Sequence, residues 1–221
     1  MLSSSNFSDN ARCLECNSSL SKLLDIGFPL AKCLSCGITY SADWSEKFDQ
    51  QLYDYYADRI ALDPELFSNL ATEKSLSKLL DQLSSLVSGR RLLDVGCGEG
   101  QVVKAALEAG WDAFGIDLSK SAIEICKSKF SLPCESIDMF SDQLSGPFDI
   151  VIMSEFIEHV PRPSRFFQRA RQLLCPGGYL YITTPNFNSF PRRAFGAEWR
   201  AICSEHISYF SPRTLREVLI A

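Results

Sequence analysis

The sequence lacks any apolar run long enough to cross a membrane, and its opening, MLSSSNFSDN, has no basic segment followed by an apolar one. Both absences argue against a membrane span and a leader, so the expected location is cytoplasmic. Positive charge is scarce: 22 Lys and Arg stand against 27 Asp and Glu, a net charge of −5. The chain as a whole therefore lacks the electrostatic footprint of a nucleic-acid binder. Histidine is scarcer still, with only His159 and His206. Any imidazole chemistry rests on those two. The 221 residues, 46% apolar, suffice for one medium domain plus a small appendage.

Cysteine, by contrast, is plentiful, and four of the nine fall in two tight pairs, Cys13 with Cys16 and Cys33 with Cys36. Two C-x-x-C knuckles at this separation present four thiolates tetrahedrally to one Zn²⁺, as in a zinc ribbon. A redox dithiol and two coincidental pairs of core cysteines are the competing readings. Gly37 suits a turn in which backbone N–H groups point at sulfur. A closed four-thiolate site is structural, not catalytic, because every coordination position is filled. The other cysteines, Cys126, Cys134, Cys175 and Cys203, lack paired spacing and read as free thiols, and Cys97 as a small side chain inside a turn.

An aromatic stretch follows, with Tyr40, Trp44, Phe48, Tyr53, Tyr55 and Tyr56. It reads as a connection, Trp44 and Phe48 packing while Tyr53 and Tyr56 share a helical face that could cover a ligand. From Pro64 to Val87 the leucines at 76, 79, 80, 83 and 86 keep helical period, with Gly89 expected to end the helix.

The stretch RLLDVGCGEG, Arg91 to Gly100, reads as a buried strand breaking into glycines at 96, 98 and 100 before the helix Gln101 to Ala109. Such a turn brings backbone N–H groups and a positive helix end to a ligand above the sheet. A merely tight strand-to-helix turn is the bland alternative. DAFGID is a second strand ending at Asp117, whose carboxylate stands at the sheet edge where open α/β folds bind ligands and can accept both hydroxyls of a ribose. Its competing role, capping the next helix, is better served by Ser119. PCESID, FDIVIMS and YLYITT supply further strands, with a helix from Ser164 to Leu174 between the last two. Strands alternating with helices give a doubly wound, mainly parallel sheet.

The segments LLDVGCGEG, GID, FDIVIMSEFIEHVPRP and LLCPGGYLYITTPN, in that order, resemble the class I S-adenosylmethionine-dependent methyltransferases. Position 101 is Gln, not the third Gly of a dinucleotide-binding G-x-G-x-x-G. The tail EWRAICSEHISYFSPRTLREVL further resembles the group holding ubiquinone-type and sugar or natural-product methyltransferases. A four-cysteine ribbon followed by tyrosines is similar to bacterial members associated with surface-polysaccharide genes. The resemblance implies a Rossmann-like methyltransferase sheet with a small N-terminal zinc ribbon. It divides the chain into a ribbon (1–42), a helical connection (43–88) and an S-adenosylmethionine-binding domain (89–221). Family members continue into two further strands after the TLREVL helix, so the last domain is expected to be C-terminally incomplete.

The resemblance also assigns residues. Gly96 and Gly98 lie against the methionine part of S-adenosylmethionine, and Asp94 supports the turn. Asp117 binds the ribose hydroxyls, Asp138 the adenine amino group, Met139 flanks the adenine, and Ser154 lines the cavity through its backbone. From their places in the sequence, His206 or His159 is expected to take a proton from a hydroxyl acceptor, a hydrogen-bonded structural histidine holding a loop being the alternative for each, and Glu155 and Glu158 to orient a histidine or cap a helix. Arg192, Arg193 and Arg200 are either solvated surface or a site for the phosphates of a nucleotide-linked sugar. The expected partner is a small-molecule acceptor, a sugar nucleotide or other glycan precursor; RNA methylation and a non-catalytic scaffold are the alternatives.

Overall fold

The computed structural model describes residues 12–25, 29–41, 73–203 and 205–220. Trp44, Phe48, Tyr53, Tyr55, Tyr56 and the helix start expected at Pro64 lie outside them. Among the described residues no helix is long and apolar enough to cross a membrane. Contacts gather the chain into two compact units. One takes the described residues from 73 to Ser154 with Gln168–Ile182, the other those up to Ser41 with Glu155–Phe167 and Thr183 onwards.

The first unit is built on strands whose apolar residues run without alternation, as a sheet covered on both faces requires. In β4 (Arg91–Val95) every residue after Arg91 is buried, and in β7 (Phe148–Ser154) Ile150 to Met153 are wholly buried. With β5 (Asp112–Ile116), β6 (Cys134–Glu135) and β8 (Leu174–Thr183) they form a five-stranded sheet of order β6–β5–β4–β7–β8. Parallel register sets Leu92 beside both Ala113 and Ile150. Between strands run α1 (Glu73–Ser84), α2 (Gln101–Glu108), α3 (Lys120–Phe130) and α4 (Pro163–Leu173). Leu80 and Leu83 of α1 enter one core cluster with Leu92, Val103, Trp111 and Ile150. The order reverses at β4, the switch point whose carboxyl end is where such sheets take ligands.

Three expectations need correction. The helix before β4 ends at Ser84, so Gly89 does not stop it. Gly89 is needed because a Cβ there would collide with the Asp149 carboxylate, which accepts the Arg91 N–H at 2.9 Å. The segment PCESID forms only a two-residue strand, which leaves Asp138 in the following turn. Strand β8 begins at Leu174, directly after α4, five residues ahead of the strand expected from Tyr179, and takes in Cys175-Pro-Gly-Gly. Gly178 permits this, since a Cβ there would stand 2.9 Å from the Asp149 carbonyl oxygen.

The second unit carries a four-stranded antiparallel sheet of order β1–β2–β3–β9, from β1 (Leu20–Asp25), β2 (Pro29–Cys33), β3 (Thr39–Ser41) and β9 (Ser208–Tyr209). Its last strand comes from the far end of the sequence, with Thr39 opposite Tyr209 and Tyr40 opposite Ser208. The unit also holds α5 (Phe190–Phe195) and α6 (Pro212–Ile220). Glu15, in the first knuckle, accepts both the N–H (2.8 Å) and the hydroxyl (2.6 Å) of Ser164. That carboxylate serves as an N-terminal cap reaching across 149 positions.

Candidate functional site

The three glycines after β4 do different work. Each has positive φ, at 74°, 51° and 82° for Gly96, Gly98 and Gly100. A Cβ at Gly100 would meet Leu132 Cδ1 at 2.6 Å and Cys126 Sγ at 3.0 Å, so that glycine serves packing. Among the described residues, a Cβ at Gly98 would meet nothing within 4 Å. Gly98 alone of those two thus faces open space, where a ligand can approach the backbone. The N–H groups of Gly96 and Cys97 both donate to the Ile116 carbonyl, at 2.9 and 3.0 Å. Helix α2 starts at Gly100 with neither a side-chain cap nor an acidic residue in its first turn. Its positive end is left for a ligand.

Asp117 fixes this turn from the neighbouring strand end. One carboxylate oxygen accepts the Gly98 N–H at 2.9 Å, the other the Ser119 N–H at 2.8 Å. Ser119 in turn caps α3, accepting the Ala122 N–H. Burial raises the Asp117 pKa, and the N–H groups of Ser119 and Gly98 pull it back. Each oxygen keeps a lone pair for further donors. Asp94, buried in β4, is pushed up to about 8, chiefly by burial and then by the nearby Cys134 and Asp117 charges. A neutral Asp94 beneath the turn adds no repulsion to Asp117. The buried Cys126 thiol, unassigned by the sequence, donates to the Gly98 carbonyl at 3.2 Å.

Asp138 is exposed and accepts the Phe140 N–H at 2.9 Å, a local turn that aims its free oxygen outward. The Met139 side chain is buried at 3% exposure, while Phe140 is the open ring of this edge at 38%. Arg169, which no motif singled out, holds the segment. Its Nε donates to the Met139 carbonyl at 3.0 Å and its guanidinium to that of Leu144 at 2.9 Å. Ser154 closes β7. Glu155, next in line, takes a left-handed φ of 49°, a conformation that disfavours any residue but glycine.

In the other unit the four paired cysteines converge, their sulfurs all within 4.8 Å of one another. Cys13 lies 3.5 Å from Cys36 and Cys16 3.4 Å from Cys33. Tetrahedral Zn–S bonds of about 2.3 Å would set sulfurs about 3.8 Å apart, close to this arrangement. The N–H groups of Ser35 and Cys36 both point at the Cys33 sulfur at 3.4 Å. Gly37 follows with φ 76°. Tyr40 is fully buried with its hydroxyl 3.4 Å from the Cys13 sulfur. Aromatic composition alone gave no sign that Tyr40 would serve the cluster.

His159 and His206 stack edge to face with centroids 4.8 Å apart. Nδ1 of His159 lies 3.0 Å from the Glu205 carbonyl oxygen, and that of His206 2.8 Å from the Ala201 carbonyl oxygen. A carbonyl only accepts, so each Nδ1 carries the hydrogen and each neutral ring keeps its lone pair on Nε2. Burial, then the His206 charge, lowers His159 to about 4; burial also lowers His206. Glu158, whose ligand atoms lie within 4.8 Å of both histidines, is 1% exposed. Among the described residues neither of its oxygens makes a well-formed hydrogen bond, and nor does the Thr184 hydroxyl; Thr184 and Glu155 are its near polar neighbours. Burial, with the Glu155 charge adding, pushes it up to about 8.

Comparison with known proteins bears on this geometry. A family model described as a methyltransferase domain matches residues 68–221. The ubiquinone biosynthesis O-methyltransferase of Bordetella avium is 33% identical over 129 residues, 54% of this chain and 54% of that protein. The protein of the same name from Dechloromonas aromatica is 35% identical over 129 residues, 54% and 55% of the two chains. This chain thus spans about half the length of those relatives. Among solved structures, a methyltransferase of Thermotoga maritima, described as a possible histamine N-methyltransferase, has a TM-score of 0.58 at 20% identity, covering 76% of this chain and 79% of that one. Another, from Archaeoglobus fulgidus, has a TM-score of 0.54 at 23% identity, covering 76% and 72%. These two establish the shared fold.

Proposed function

Because the chain belongs to the methyltransferase-domain family, we propose that it transfers a methyl group from S-adenosylmethionine to a small-molecule acceptor, with the glycine turn after β4 as cofactor seat. The observation that carries this reading is the division of labour in that turn. Gly98 opens to space while its own N–H is fixed by Asp117.

The cofactor supplies a methyl group on a sulfonium, whose departure as a neutral thioether needs no proton. The chain's residues bind and align. Gly96 and Gly98 let the backbone approach the methionine part, and Asp94 supports them from the strand. Asp117 uses its remaining lone pairs for the ribose hydroxyls. Asp138 would offer its free oxygen to the adenine amino group, Met139 with Phe140 would flank the adenine ring, and the Ser154 backbone would line the cavity. Alignment of acceptor and methyl supplies most of the acceleration.

An acceptor hydroxyl still has to lose its proton, and we assign that step to His206 at Nε2. Its Nδ1–H is held by Ala201 and its lowered pKa keeps it neutral near pH 7. His159, with a pKa near 4, is the poorer base and acts as the packing partner of His206. The relatives' names favour O-methylation of a hydroxylated small molecule; a sugar nucleotide or glycan precursor is the acceptor we propose. The four cysteines hold a structural Zn²⁺, which the donor set and the N–H groups aimed at sulfur favour.

Calorimetric titration of S-adenosylmethionine into the zinc-loaded chain tests the reading. Saturable binding that Asp117→Ala weakens is expected; a folded wild type that binds none would overturn it. An acceptor screen with His206→Gln and His159→Gln then tests the base. Unchanged turnover in the double variant would remove both histidines from the chemistry.

A further inference from the structure

In the second unit, a cavity of about 200 Å³ opens between β2, β3, α5 and α6. Among the described residues that line it, Lys32 and Arg192 are the charged ones and none is acidic. A purely cationic cavity runs against a net charge of −5. We propose that this cavity binds the phosphate or diphosphate end of a small-molecule ligand through Lys32 and Arg192.

Arg192 is held ready for such a ligand. Its guanidinium lies over the Phe187 ring, 4.6 Å from the centroid, and its buried Nε has no hydrogen-bond partner among the described residues. Among the described residues no carboxylate pairs with it. A buried guanidinium N–H without an acceptor carries a desolvation cost that an entering phosphoryl oxygen relieves. Arginine is suited to the task, since its planar fork meets two phosphate oxygens at once.

Lys32 faces the same space from β2, opposite Thr39 in the ladder. Thr39, Ser211 and Thr214 add hydroxyl groups to a lining that also includes Leu30, Phe187 and Asn188. Ser211 and Thr214 bond each other at 2.9 Å at the start of α6, and Tyr209 stands nearby. Gly37 stands beside α6, where an added Cβ would make only ordinary contact with Thr214 Oγ1 at 3.5 Å. The volume falls below the roughly 300–1,000 Å³ that encloses a drug-sized ligand. It suits a phosphoryl or diphosphoryl group whose remaining portion extends outside.

Assigning that ligand as the methyl acceptor rests on the methyltransferase reading; the anion site itself does not. The full zinc-loaded chain is titrated with inorganic pyrophosphate and, separately, with uridine diphosphate. Saturable pyrophosphate binding is expected, weakened about tenfold by Arg192→Gln and by Lys32→Gln, with Arg192→Lys between and the exposed Arg216→Gln unchanged. S-adenosylmethionine affinity should stay unchanged in all four variants, which also shows that they fold. Equal pyrophosphate binding by wild type, Arg192→Gln and Lys32→Gln would overturn the site, as would no saturable binding by a folded wild type. Uridine diphosphate binding more tightly than pyrophosphate supports the acceptor assignment. Pyrophosphate binding without uridine diphosphate binding keeps the anion site and overturns that assignment. Pyrophosphate binding by a chain that ignores S-adenosylmethionine sinks the methyltransferase reading alone.

Discussion

The Asp117 carboxylate, at the end of β5, grips the backbone N–H of Gly98 at 2.9 Å and so fixes the turn that follows β4. Two adjacent strand ends are thereby locked through a half-buried residue whose carboxylate oxygens each retain a lone pair. Structure and ligand binding are therefore coupled at this side chain.

Replacing Asp117 tests that coupling. Asp117→Ala leaves two N–H groups without their acceptor and should cost about 1–3 kcal/mol of stability in urea unfolding. It should weaken S-adenosylmethionine binding about tenfold or more. Asp117→Asn keeps one oxygen acceptor and should recover more stability than affinity.

The two glycines that meet such different surroundings should fail differently. Gly100→Ala forces a Cβ against Leu132 at φ 82° and should lower stability by about 1–3 kcal/mol. Gly98→Ala meets no neighbour, so its cost is the strain of a left-handed φ, about 1–2 kcal/mol. Its principal effect is expected on cofactor affinity. Thermal melts with and without S-adenosylmethionine separate the two. A ligand-induced rise in Tm should survive in Gly100→Ala and be lost in Gly98→Ala.

For the four-cysteine cluster, chelation or Cys33→Ser should release zinc, read by atomic absorption, and lower the melting temperature. Tyr40→Phe keeps the four sulfurs and removes the hydroxyl beside Cys13. It should retain zinc and lose about 0.5–1.5 kcal/mol.

Buried Glu158 gives a pH dependence of defined sign. Its folded pKa, about 8, stands above the ordinary 4.5, so above 4.5 the unfolded chain has released a proton the native chain holds. The stability it contributes is full below 4.5 and is lost as pH rises through 8, by at most about 1.4 kcal/mol per pH unit. Asp94, raised from 3.8 to about 8, adds a term of the same sign. His159, depressed from 6.5 to about 4, contributes stability that is full above 6.5 and falls away below it. Between pH 6.5 and 8 the Cys134 thiol, lowered to about 4, contributes with the opposite sign, so urea unfolding of Glu158→Gln is read against wild type. The slope of stability against pH should be more positive in Glu158→Gln than in wild type; equal slopes would remove Glu158 as a source.

What the sequence disclosed was local. The apolar run of β7, the glycine break after β4 and the Ser119 cap each lie within a few residues, so pattern alone located them. Asp117 stood out because a strand ending in a carboxylate is also a local signal. Hidden from that reading were contacts across long separations. Gly89 answers to Asp149, the Asp138 turn is held by Arg169, and Tyr40 serves Cys13. Glu158 was readable as a carboxylate near a histidine, yet nothing in its neighbours foretold that it would be buried without a partner. Lys32 and Arg192 lie far apart in the chain, and their shared cavity emerges only when β2 and α5 are brought together.

The pairing of β3 with β9 has a consequence for how the chain comes into being. Tyr40 leaves the ribosome well before its strand partner Ser208, which stands 168 positions later in the chain. Thr39 and Tyr40 must therefore wait, edge exposed, through the synthesis of the whole parallel sheet. An early metal ion at the cysteines would hold the nascent hairpin in readiness while the loop-closing strand is made. Folding of this unit is thus timed by translation, and a stall before Tyr209 would leave an unfinished sheet edge open to other chains.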